Sequence, residues 1–201
     1  MSRLYVGAAA MVLASVIGGT ALYTTLTASP ECGGNSIAGG NAAIGGPFEL
    51  LLPDETLVTE REVIDRPTLV YFGYTFCPDV CPFDVARNMI AIDILGEQGI
   101  DVKPVFVTID PERDTPEIMG QYAEDMHPRM VALTGSDEQI RDAAQAYRVY
   151  YARGAGEGEF YLMDHSTFSY LMMPDGTLAT YFGRSASPEE IADETSCLLS
   201  A

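Results

Sequence analysis

The sequence predicts an α/β domain with a central mixed sheet and flanking helices, preceded by one N-terminal transmembrane helix. Three observations carry this reading. Short β-branched and aromatic runs alternate with amphipathic stretches, the pattern of parallel strands joined by crossover helices. Two later apolar runs flank Pro174-Asp175-Gly176, a turn sequence that produces an antiparallel hairpin. Ahead of all of them, 25 residues from Leu4 to Ala28 carry no charge, against the ~20 apolar residues that a membrane-crossing helix needs.

Taken in order, residues 1–29 read as the membrane anchor. The rival reading is a cleaved signal peptide, with Gly19-Thr20-Ala21 as the small-x-small cleavage site. Cleavage there would leave an apolar stub, which favours retention. Arg3 before the span and Glu31 after it predict an N-terminus held in the cytoplasm and an exported domain. Residues 30–46 form a tether with six glycines between positions 33 and 46, too few apolar groups to bury, and with a reach of about 20 Å. Residues 47–201 are the folded domain. Its strands are expected at Thr68–Tyr74, Val102–Ile109, Met130–Leu133, Phe168–Met173 and Thr177–Phe182. Helix starts are marked by Thr115-Pro116, by the capping-box pair Ser136 and Gln139, and by Ser187-Pro188-Glu189-Glu190. Parallel strands first and a hairpin later is the order of a thioredoxin-like sheet.

The charge balance narrows the function classes. All 29 acidic side chains and 10 of the 11 basic ones lie beyond residue 29, and the only lysine is Lys103. Such a surface repels a phosphate backbone, so nucleic-acid binding is excluded as a default.

The chemistry concentrates on cysteine. Cys77 falls on the loop leaving the first long strand and Cys81 in the first turn of the following helix. Thiols four residues apart share a helix face, and a helix N-terminus favours thiolate, the form that binds metal and attacks disulfides. Two thiolates suit copper(I) or zinc, and two sulfurs alone satisfy neither ion well without another donor. Two histidines could supply it. His127 reads as an exposed loop residue, and His165, in the loop entering the late hairpin, reads on its own as structural. The methionines at 126, 130, 163, 172 and 173 read as core filling. Cys32 and Cys197, an unexplained pair in an exported protein, suggest a disulfide.

The segment YFGYTFCPDVCP, the run Ile109-Asp110-Pro111-Glu112-Arg113-Asp114-Thr115, the triplet Asp164-His165-Ser166 and the apolar N-terminus together resemble the Sco/SenC family, over residues 47–200. The resemblance implies a thioredoxin-like fold and one copper ion per chain, bound by Cys77, Cys81 and His165. It also implies a metallochaperone that assembles the dinuclear copper centre of cytochrome c oxidase subunit II. An upstream copper donor would load it, and the domain would face the periplasm from the inner membrane. Asp164 would orient the His165 ring, whereas Asp110, Arg113 and Asp114 read as turn and capping residues outside the ligand set. Cys32 and Cys197 depart from the family pattern. The alternative function is a thiol–disulfide oxidoreductase using Cys77 and Cys81 on the acceptor's cysteines. The C-x-x-x-C spacing, one residue longer than the thioredoxin motif, argues against it. A thiol peroxidase is a third option, but Thr75 stands two residues before Cys77 rather than three. For the outer pair, peptide mapping without reductant should recover Cys32 and Cys197 as one linked pair; alkylatable thiols at both positions would disprove the bridge.

Overall fold

A computed structural model describes Cys32 and residues 44–158 and 160–200. The expected anchor and most of the tether lie outside the described residues, among which no helix is long and apolar enough to cross a membrane. Packing begins slightly before Pro47. Ile44 is buried in the core, and the Gly45 N–H donates to the Ala146 carbonyl at 2.9 Å.

A first hairpin, β1 (Glu49–Leu51) and β2 (Leu57–Thr59), leads into the short helix α1 (Glu60–Val63). Then come β3 (Thr68–Gly73), α2 (Val80–Glu97), β4 (Lys103–Thr108), α3 (Pro116–Met126), β5 (Val131–Leu133) and α4 (Asp137–Ala146). A second hairpin pairs β6 (Tyr151–Glu157) with β7 (Phe160–His165). The chain ends in β8 (Ser169–Met172), β9 (Leu178–Phe182) and α5 (Pro188–Ser200).

The main sheet has the order β5-β4-β3-β8-β9. β3 is central, parallel to β4 and antiparallel to β8, and β4 is parallel to β5. This is the thioredoxin-like mixed sheet that the sequence predicts. All six residues of β3 are buried, as its unbroken apolar run requires of a strand covered on both faces. Successive residues point to opposite faces. Tyr71 meets Phe106, which meets Tyr122 of α3, whereas Phe72 meets Tyr147 at the end of α4. α2 packs along α5.

The helix starts follow from their caps. Thr115 accepts the Ile118 N–H, and Ser136 and Gln139 exchange side-chain bonds with each other's backbone N–H. Ser187 and Glu190 do the same. At the β8–β9 turn Gly176 has φ +83°, and the Asp175 carboxylate accepts the Thr177 N–H and hydroxyl.

Two hairpins differ from the sequence reading. β1–β2 is too short to leave a pattern. β6–β7 carries Gly154 and Gly156 in β6, which weaken its strand signal. Gly156 is required: at φ +136° a Cβ there would lie 2.1 Å from the Phe160 carbonyl oxygen, beside a register shift between Arg153 and Gly156.

The parallel strands end on one buried carboxylate. Asp114, fully inaccessible, accepts bonds from the Thr75 N–H at 3.0 Å, the Thr75 hydroxyl and the Thr108 hydroxyl at 2.6 Å. Its carbonyl accepts from Thr134 at 2.7 Å. Asp114→Ala should lower the unfolding free energy by about 1–3 kcal/mol, since buried donors lose their acceptor; urea unfolding measures it, and wild-type stability would contradict the role.

Candidate metal centre

The candidate ligands arrive from two directions. β3 ends at Gly73, and the loop behind it carries Cys77 to the start of α2, where Cys81 is the second residue. The N-cap residue Asp79 makes no side-chain cap bond. Instead the Cys77 sulfur accepts the Cys81 N–H at 3.3 Å, so the thiol occupies the electropositive helix end. Pro82 fits this first turn because no N–H there has an intrahelical partner.

His165 is the last residue of β7, not a loop residue as the sequence reading expects. Its Nδ1 lies 2.7 Å from the Ser166 carbonyl. A carbonyl only accepts, so Nδ1 carries the proton and Nε2 of the neutral ring presents its lone pair. That lone pair faces Cys81 Sγ at 3.3 Å. The donor atoms of Cys77, Cys81 and His165 all lie within 4.8 Å of one another.

The remaining sequence-predicted residues separate from this group. Asp164 is exposed on the other face of β7, and the ring is oriented by the Ser166 carbonyl rather than by that carboxylate. His127 follows α3, where Nδ1 accepts the Arg129 N–H and Nε2 donates to Asp93 at 3.0 Å; it lies apart from the thiols, but its side chain is only 10% exposed, a partnered structural residue rather than the exposed loop residue that the sequence suggests. Met130 and Met172 are buried in the core. Asp110, Arg113 and Asp114 are not among the gathered donors but lie close by. Arg113 pairs with Asp110 and stacks on Tyr161 at 3.7 Å. Cys77 and Cys81 are free thiols, whereas Cys32 and Cys197 are both disulfide-bonded.

Several residues that sequence reasoning passes over shape the site. Tyr71 and Tyr74 set their rings edge-on to His165, at 6.4 and 5.9 Å between centroids. The Tyr71 hydroxyl donates to the buried Asp84. A Cβ at Gly73 would come within 3.1 Å of Cys81 Sγ and of the Phe106 ring, and 3.0 Å of the Tyr71 ring. The sequence signals for these are faint, because a tyrosine or glycine in a buried strand is ordinary on composition alone.

The two thiols differ. Cys77 is pulled well below the usual thiol range, chiefly by a hydrogen bond from the Cys81 thiol. The backbone N–H groups of Cys81 and Asp79 add to this, against the opposing effect of burial. Cys81 is pushed up, first by its bond to Cys77 and then by burial. In the reduced, metal-free protein, Cys77 is therefore thiolate at a pH where an ordinary thiol is protonated. Iodoacetamide at neutral pH should label Cys77 ahead of Cys81, and mapping by mass spectrometry that finds equal labelling would contradict the asymmetry.

Chemically, two sulfurs and an imidazole nitrogen form a soft, three-donor set suited to copper, with room for a fourth ligand. Comparison with known proteins agrees. The SCO1/SenC family profile matches residues 37–200. Protein SenC of Rhodobacter capsulatus is 47% identical over 156 residues, 77% of this chain and 70% of the relative. The mitochondrial protein SCO1 homolog 1 of Arabidopsis thaliana is 42% identical over 165 residues, 82% of this chain; the alignment spans 47% of that longer protein. Among solved structures, Arabidopsis thaliana ScoI with copper bound superimposes with a TM-score of 0.75 at 40% identity, covering 79% of this chain and 99% of that one. With the match running through both free thiols and the histidine that meets them, this chain belongs to the SCO1/SenC family.

Proposed function

We propose that the chain is a membrane-anchored copper metallochaperone. It binds one copper through Cys77, Cys81 and His165 and delivers it to the dinuclear copper centre of cytochrome c oxidase subunit II. The observation that carries this reading is the convergence of the three donor atoms, with the Nε2 lone pair directed at the thiol pair. A similar protein has copper bound in its structure, and the family membership supports an oxidase-assembly role. Thiolates favour copper(I) and imidazole tolerates copper(II), so this donor set retains the metal through a redox change. A three-donor site also leaves a position where an acceptor's ligand enters before the chaperone's ligands leave. Exposed Phe76 and Phe83, beside the two cysteines in the chain, offer apolar area for the acceptor domain. An N-terminal anchor at residues 1–29, in the inner membrane with the domain in the periplasm, would keep this face near a membrane-bound oxidase. An upstream donor would load it.

One observation favours a second reading, thiol–disulfide exchange on the acceptor's cysteines: the low-pKa Cys77 beside the protected Cys81 has the asymmetry of an attacking and a resolving thiol. His165 discriminates, because exchange does not require it.

Copper competition titrations on the reduced full-length chain in detergent should give one copper per chain. His165→Ala should weaken binding at least about tenfold, about 1.4 kcal/mol. Unchanged affinity, together with reduction of protein disulfides by both proteins, would favour exchange instead.

A further inference from the structure

We propose that Arg113 is the positioning residue of this site: it clamps the hairpin that carries His165 to the loop that carries Cys77. The proposal rests on the copper-binding reading and adds the group that sets the third ligand in place.

The need for a clamp follows from topology. The β6–β7 hairpin is a two-stranded sheet of its own, and none of its ladder bonds reaches the five-stranded sheet behind the cysteines. His165 therefore does not share a hydrogen-bonded framework with the thiols it faces. The cysteine side is independently secured by the Asp114 carboxylate and by the start of α2. The histidine side depends on side-chain contacts between the hairpin and the ends of β3 and β4.

Arg113 supplies several of these contacts from the loop after β4. Its Nη1 donates to the Tyr161 carbonyl at 2.9 Å, and its guanidinium lies 3.7 Å from the centre of the Tyr161 ring. On the cysteine side the same guanidinium lies 4.8 Å from the ring of Phe76, the neighbour of Cys77, and 5.6 Å from that of Tyr74. Its ion pair with Asp110 anchors it, and the Tyr161 hydroxyl donates to that carboxylate at 2.6 Å. Tyr161 and His165 lie on one face of β7, four residues apart, so gripping the first aligns the second. A planar guanidinium is needed, because a lysine could keep the charge but neither the stacking nor the directed fork. One further link, from the Met163 N–H to the Tyr74 hydroxyl at 3.2 Å, lies between them on the strand.

Loss of the clamp would leave the two thiols in place and release the imidazole. Copper(I), which favours thiolates, should then be affected less than copper(II), which depends more on nitrogen.

The test uses the reduced full-length chain, with copper(I) and copper(II) titrations of wild type, His165→Ala, Arg113→Lys, Tyr161→Leu, and each of the last two combined with His165→Ala. Arg113→Lys and Tyr161→Leu should each weaken copper(II) about 10–100-fold, weaken copper(I) less, and lose the imidazole nitrogen splitting from the copper(II) paramagnetic resonance spectrum. On the His165→Ala background neither should cause further loss, the mark of two residues acting through one contact. Circular dichroism checks the fold; Tyr161→Leu leaves the Arg113–Asp110 pair in place and decides if Arg113→Lys is unfolded. Wild-type affinity and spectrum in the folded variants, or losses that add in full to that of His165→Ala, would overturn the clamp. If His165→Ala itself leaves copper binding unchanged, the ligand set fails and the clamp fails with it. A loss in His165→Ala without one in the clamp variants refutes the clamp alone.

Discussion

The cysteine side of the site depends on one carboxylate kept away from water. Asp114 collects two hydroxyls and an N–H from the ends of β3 and β4, while its own carbonyl takes a hydroxyl from Thr134 just beyond β5. Burial pushes its pKa up and the threonine donors oppose that shift. Parallel strands normally open into loops at this edge, and loops are the more mobile parts of a fold. Here the loop leaving β3 is tied down two residues before Cys77, so the first sulfur is delivered from a fixed point.

From that fixed point the two thiols acquire different characters without any charged neighbour of opposite sign being required. A sulfur placed where a helix expects a cap accepts from the neighbouring thiol and from backbone N–H groups, while the next sulfur along the helix, which donates that bond, is buried. The imidazole meets them with its proton turned to Ser166. His127 makes the opposite choice, its Nε2 donating to Asp93. The same residue type thus serves as a donor of a lone pair in one place and of a proton in the other, decided in each case by one backbone partner.

The main sheet was legible in the sequence because its strands are buried on both faces and its helices begin at recognisable caps. Cys77 and Cys81 were legible too, since strand, loop and helix start are all local signals. His165 was identified by family resemblance, and its chemistry alone did not distinguish it. What escaped was the β6–β7 hairpin, whose glycines hide its strands, and the carbonyl of Ser166 in place of the Asp164 carboxylate. A strand reverses the direction of successive side chains, so once β7 is recognised Asp164 and His165 cannot face the same way. Arg113 shows the same limit. Its position after β4 is readable as a turn, whereas its stacking on a tyrosine 48 residues later is a tertiary fact.

Gly73 has a consequence for the depth of the site. Cys81 Sγ, Tyr71 and Phe106 close in where a side chain on β3 would otherwise begin. How deep the second sulfur lies, and so how much of any ion attached to it an incoming molecule could see, is set by the sheet rather than by the helix that carries the cysteine. The depth of the site is thus a property of its floor. A methyl group added there would force the sulfur or one of the two rings to give way, with every ligand unchanged in identity.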